Sequence, residues 1–154
     1  MSDDVEVVGD VGERILAEAL DWVGTPYRHQ GSRKGVGCDC LGLLIGVWRA
    51  VYGAVPEEPG PYSVDWAEAG GADRFLEAAR RHCREKSFAK ATAGDLILFR
   101  WRPNLPAKHA AILVAPDRFV HAYEGSAVVV SALVPQWRKR IAAAFAFPKI
   151  GAAG

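Results

Sequence analysis

The strongest constraint on the fold is a change of texture at Gly94. Before it, apolar residues recur at helical spacing; after it come short β-rich runs separated by turn residues. The first part predicts a helix over 12–23, with Asp10 as its cap, Glu13 completing a capping box, and Ile15, Leu16, Ala19, Leu20 and Val23 as its apolar stripe. Gly24-Thr25-Pro26 stops that helix. A glycine-rich loop then runs from Gly31 to Gly37. A second, largely buried helix begins at Asp39 or Cys40, carries Leu41, Leu44, Ile45, Trp48 and Val51, and ends at Gly53. A third helix is predicted over 72–85, with Phe75, Leu76, Ala79 and Cys83 on one side. Strands are predicted over 95–101, 109–115, 119–123, 127–131 and 141–147. The turns between them are marked by Pro103-Asn104 with Pro106, by Pro116-Asp117 and by Glu124-Gly125-Ser126. Helices first and strands afterwards imply an α+β fold, with N-terminal helices packed on an antiparallel sheet of about five strands.

One domain accounts for the whole chain, 1–154, with a core of about 12–148. The 154 residues, half of them hydrophobic, are enough to bury a core without a metal or a disulfide. The Pro/Gly-rich stretch from Pro56 to Pro61 is too short for a linker. Nineteen Lys and Arg against eighteen Asp and Glu leave a net charge of +1 spread in short groups, which argues against nucleic-acid binding. The acidic start, Met1 to Glu6, is followed by no export signal. The apolar run from Ile141 to Phe147 is too short to insert in a membrane. A soluble protein made in the cytoplasm is the expectation. Three cysteines in that reducing setting are read as thiols, so at least one needs a role other than cross-linking.

The segment Gly37-Cys38-Asp39-Cys40-Leu41-Gly42 supplies such a role, because it delivers Cys40 to the first turn of an apolar helix. Backbone N–H groups and the helix dipole favour negative charge there, so the expectation is a lowered thiol pKa and a nucleophilic Cys40. Gly42 is expected to leave the helix surface bare for a substrate or a partner strand. In the second half, His109 opens one predicted strand and His121 lies in the next. Antiparallel neighbours can bring the two together, one as base and one as orienter.

These pieces resemble the NlpC/P60 cysteine peptidases. The likeness runs through Gly24-Thr25-Pro26-Tyr27, Asp39-Cys40-x-Gly42-Leu43, Gly94-Asp95-Leu96-Ile97-Leu98-Phe99, His109-x-x-Ile112-Leu113 and Phe119-Val120-His121-Ala122, about residues 12–123. The resemblance implies a papain-like fold with Cys40 as nucleophile, His109 as base and His121 as the third polar residue. It also implies that Tyr27 helps position the reacting carbonyl, and that Asp39, His29 and Gln30 line the substrate side. No cofactor or metal is implied. The substrate class is peptidoglycan stem peptides, with the bond between D-γ-glutamate and diaminopimelate the leading choice. The chain departs from the family pattern at His29-Gln30-Gly31 and at Leu41, where a serine usually follows the nucleophile; this bears on whether a free substrate amine is required. Tyr27 to Gly31 with Cys38 to Gly42 looks most like the branch in tail modules of phages and gene transfer particles. That implies tail-tip or baseplate partners and a site of action at the target cell wall.

Three alternatives stand beside this reading. Zinc could use Cys38 and Cys40 with His82-Cys83 or with the histidine pair, although the spacing is poor. An inactive structural tail component could keep the fold, and a cytoplasmic cysteine peptidase or acyltransferase could act on wall fragments. Smaller features read simply: His29 as a loop residue, Trp137-Arg138-Lys139-Arg140 as a solvated edge, and His82 as part of the wet end of the third helix.

Overall fold

In the computed structural model the described residues are 3–57 and 73–150, with side chains described from Val11 onward. Helix α1 covers Asp3–Asp21, and a two-stranded hairpin, β1 (Ser32–Arg33) and β2 (Gly37–Cys38), leads into α2 (Cys40–Tyr52). Next come α3 (Arg74–His82), β3 (Arg84–Lys86), β4 (Leu96–Phe99), β5 (His109–Ala115), β6 (Arg118–Ala122), β7 (Val128–Ala132), α4 (Pro135–Arg138) and β8 (Ile141–Ala146). The long strands form one antiparallel sheet in the order β3-β8-β4-β5-β6-β7. The α+β expectation holds, with six strands in that sheet and a hairpin beside it.

Both faces of the sheet are covered, which explains why β4 reads Leu-Ile-Leu-Phe with every residue buried. One face meets α1 and α2 through Ile15, Trp22, Leu43, Val47, Leu96, Leu98, Ile112 and Val120. The other face carries Ile97, Phe99, Ala111, Leu113 and Phe119, and Trp137 of α4 packs onto it. Strand alternation sends His109 and His121 to this second face, with Ala111 and Phe119.

Several boundaries differ from those read in the sequence. Helix α1 begins at Asp3 rather than Gly12, so Asp10 lies within the helix and does not cap it; its side chain is outside the described set. The expected start of α3 at Ala72 and the stretch from Pro59 to Pro61 are likewise outside the described residues. The third helix stops at His82, and Arg84-Glu85 instead open β3 at the sheet edge, where a charged strand is tolerated because one side faces water. The glycine-rich loop contains the small hairpin, and Trp137-Arg138 belong to the short helix α4, in which Arg138 is exposed as expected of a solvated edge while Trp137 is half-buried.

Helix α2 is where local chemistry positions the site. Asp39 has extended backbone at the N-cap and its Oδ1 accepts the Gly42 N–H at 2.7 Å. Gly53 ends the helix in the left-handed conformation, its N–H bonded to the Arg49 carbonyl at 2.8 Å. Gly42 is needed for a different reason from the one its position suggested: the space beside it is filled by the carbonyl of Gly31 from the chain's own loop. Ser32 Oγ locks the same contact by donating to the Gly42 carbonyl at 2.7 Å. A methyl group at Gly42 collides with that carbonyl, so Gly42→Ala is expected to lower stability in urea unfolding by at least the roughly 1–3 kcal/mol typical of overpacking. An unchanged midpoint would show that the loop does not rest on α2.

Candidate active site

Cys40 is the first residue of α2 and is partly buried, and its Sγ donates to the Lys108 carbonyl at 3.7 Å. The Ala110 and Leu41 N–H groups bond to the same sulfur. Two of these three contacts come from the residues on either side of His109, so the sulfur rests against the start of β5. His109 is 8% exposed and its Nε2 lies 2.7 Å from His121 Nδ1. Continuing the register Ile112↔Val120 puts His121 opposite Ala111 and diagonal to His109, a spacing that long side chains span. With Nε2 engaged by His121, Nδ1 is the second ring nitrogen of His109.

Aromatic rings enclose the pair. Trp101 stacks on His109 at 5.6 Å between centroids, and Trp137 lies 5.7 Å from His109 and 5.4 Å from His121. Arg140 sits above both indoles, 5.2 Å from the Trp101 ring centre and 5.9 Å from that of Trp137. His121, 0% exposed, is also met by Ser131 Oγ of β7, 2.8 Å from its Nε2.

Burial decides the protonation states. It pushes His109 down to about 3, helped by the charge His121 would carry, and pushes His121 down to about 4. The Cys40 thiol, expected to be acidified by the helix start, is instead pushed up to about 12. Desolvation is the main cause and the Asp39 charge adds to it, both outweighing the N–H groups of Ala110 and Leu41. The Cys40 thiol and both imidazoles are therefore neutral at rest. Cys38, fully buried, and Cys83 are also pushed up to about 12 by burial, and none of the three cysteines is in a disulfide.

Tyr27 lies beside the loop that leads to Cys40, bridged in parallel to Cys38. Burial, then the charges of Cys40 and Asp39, raise its phenol, which stays protonated and able to donate. Asp39 is 4% exposed; besides capping Gly42 it accepts the Gln30 N–H through Oδ2 at 2.8 Å. Its visible task is thus to fix the loop against the helix. His29, with 35% of its side chain exposed, has Nδ1 3.7 Å from Asp39 Oδ2. Gln30, at φ 65°, places Nε2 3.4 Å from His29 Nε2, so the two side chains flank the loop at the solvent side. Among the described residues no group of three or more His, Cys, Asp or Glu is arranged to hold a metal ion.

Trp137, Trp101 and Ser131 had no place in the sequence reading of the site. Ser131 carried a usable signal, as the lone hydroxyl in the run Val128-Val129-Val130-Ser131-Ala132 next to the strand of His121. Trp137 carried none, because its partners are distant in sequence and the charged Arg138-Lys139-Arg140 follow it.

Comparison with known proteins gives concordant results. The model of the NlpC/P60 family matches residues 24–145. The murein DD-endopeptidase MepS/murein LD-carboxypeptidase of Escherichia coli K12 is 30% identical over 138 residues, covering 85% of this chain and 60% of that protein, so the chain spans about three-fifths of that relative's length. A "Probable endopeptidase" of Haemophilus influenzae is 31% identical over 139 residues, 85% of this chain and 75% of that protein. The NlpC/p60 domain of the peptidoglycan hydrolase SagA superposes with a TM-score of 0.59 at 29% identity, over 87% of this chain and 97% of that one. An NlpC/P60 family protein of Bacillus cereus reaches a TM-score of 0.64 at 20% identity, over 89% of this chain and 40% of that one, and speaks to the fold alone.

The buried histidines give the fold a pH dependence of defined sign. Their folded values lie below the ordinary value of 6.5, so between that value and about 4 the unfolded chain binds more protons. Stability is fully present above pH 6.5 and is lost on acidification, at up to about 1.4 kcal/mol per pH unit for each histidine. Urea unfolding at pH 7 and pH 5 should show this loss, and His121→Asn should reduce the slope. Equal stability at the two pH values would contradict the buried neutral pair.

Proposed function

The chain belongs to the NlpC/P60 family, and on that footing we propose that it is a cysteine peptidase that cuts peptidoglycan stem peptides. The observation that carries this is the His109–His121 bond of 2.7 Å, set where Cys40 Sγ rests against the backbone on both sides of His109. His109 Nδ1 takes the thiol proton as Cys40 Sγ attacks the scissile carbonyl. Because the resting pair is neutral, the thiolate is made by general-base transfer as the substrate arrives. Tyr27 offers a donor to the developing oxyanion. His109 then returns the proton to the leaving amine, which departs and leaves an acyl thioester on Cys40. Water, deprotonated by the same imidazole, releases the acid and regenerates the thiol. His121 holds the ring of His109 in place throughout.

The relatives' names, murein endopeptidase and peptidoglycan hydrolase, support this substrate class. Within it we assign the bond between D-γ-glutamate and diaminopimelate, following the family resemblance. Leu41, in place of the usual serine, and an Asp39 carboxylate already engaged by two N–H groups favour recognition without a free substrate amine. The loop and helix-start strings, Tyr27 to Gly31 and Cys38 to Gly42, motivate a place on a phage-like tail tip, with the enzyme docked through a face away from Cys40.

Defined muropeptides incubated with pure protein, with product masses read by mass spectrometry, test the chemistry. Cleavage at the γ-glutamyl bond is expected, with or without a free amine. His109→Ala is expected to fall to the level of Cys40→Ala, about 10³-fold or more below wild type, while His121→Ala keeps measurable turnover. Wild-type turnover unchanged in Cys40→Ala would overturn the assignment. For the location, particles carrying Cys40→Ala should assemble and adsorb but deliver poorly, whereas normal delivery would remove the tail role.

A further inference from the structure

The hydrogen-bonded chain does not end at His121. Ser131 lies on the edge strand β7, across from Phe119 in the register with β6 and diagonal to His121. Its Oγ is 2.8 Å from His121 Nε2. Aromatic rings also pack around it: Phe119 at 4.6 Å, Tyr123 at 5.4 Å and Trp137 at 5.4 Å between centroids. The side chain of Val129, directly opposite His121 on β7, offers no polar atom. The hydroxyl is thus the contact through which the second nitrogen of a fully buried imidazole is satisfied.

Two proton arrangements fit these distances, and they have opposite consequences. If Ser131 donates to His121 Nε2, then His121 carries its proton on Nδ1 and donates to His109 Nε2. His109 must then hold its own proton on Nδ1, where it cannot accept one from Cys40. If Ser131 accepts, His121 is protonated on Nε2, its Nδ1 accepts from His109 Nε2–H, and the lone pair of His109 Nδ1 is turned to the thiol. Once His109 has taken the thiol proton both its nitrogens carry hydrogen, and a neutral His121 can then be satisfied only in the second arrangement.

We propose that Ser131 is a positioning residue: its hydroxyl accepts from His121 Nε2–H and so holds the His121–His109 pair in the tautomers that make His109 a base. This rests on the reading of Cys40 and His109 as nucleophile and base. The contribution belongs to the protonated state of His109 and not to substrate binding, so it is expressed in kcat. A hydroxyl provides it, and an alkyl group does not.

The tautomers can be read without substrate. Long-range nitrogen–proton correlation spectra of nitrogen-15-labelled protein should show His121 protonated at Nε2 in the wild type and in Ser131→Thr, and shifted towards Nδ1 protonation in Ser131→Ala. With muropeptide, Ser131→Ala should lose roughly tenfold in kcat, the scale of one hydrogen bond, with KM little changed, and Ser131→Thr should recover most of it. In a His121→Ala background, which keeps measurable turnover, the same Ser131→Ala change should have no further effect on kcat. The proposal is overturned if wild-type His121 carries its proton on Nδ1, if Ser131→Ala leaves the His121 tautomer unchanged, or if its kcat loss persists without His121. Failure of the wild type to cleave any muropeptide would instead count against the peptidase reading, and the spectra would still decide the role of Ser131.

Discussion

Two hydrogen bonds to one carboxylate organise the site. Asp39 takes the Gly42 N–H with one oxygen and the Gln30 N–H with the other, at 2.7 and 2.8 Å. The first bond starts α2 at Cys40, and the second holds the preceding loop against the helix, where the Gly31 carbonyl meets the bare flank of Gly42. A cap of this kind contributes about 1 kcal/mol to stability. Its larger effect is geometric, since the thiol inherits its direction from the first turn of a helix pinned at both its side chain and its approach.

The opposite half of the site is set by the sheet. Because helices cover one face and Trp137 with its neighbours covers the other, the histidines on β5 and β6 are dry on nearly every side. Desolvation keeps the thiol and both imidazoles uncharged. The cost is sensitivity to acid, because protons that the folded pair refuses are taken up by the unfolded chain.

Much of this was legible in the sequence because it rests on local signals. The Asp-Cys helix start, the Gly53 stop and β5 over 109–115 each follow from neighbours within a few residues, and the two observed histidines do meet across adjacent strands. The misses share a cause in long-range structure. Arg84 to Lys86 become a strand only because β8 offers an edge, and Trp137 becomes the cover of the site only because the sheet brings Phe99, His109 and Phe119 beneath it. The sign of the Cys40 shift was missed for the same reason: a helix start favours the thiolate, but how deeply the sulfur is buried depends on β5, which arrives about seventy residues later.

The coupling between Cys40 and His109 is the central claim, and it can be measured without knowing the substrate. Iodoacetamide alkylation of Cys40 at neutral pH, assigned by sequencing the modified peptide, compares wild type with His109→Ala. If His109 Nδ1 takes the thiol proton, the substitution should slow alkylation of Cys40 by about 10²-fold and leave Cys83 unaffected. Equal rates of Cys40 alkylation in the two proteins would contradict the account.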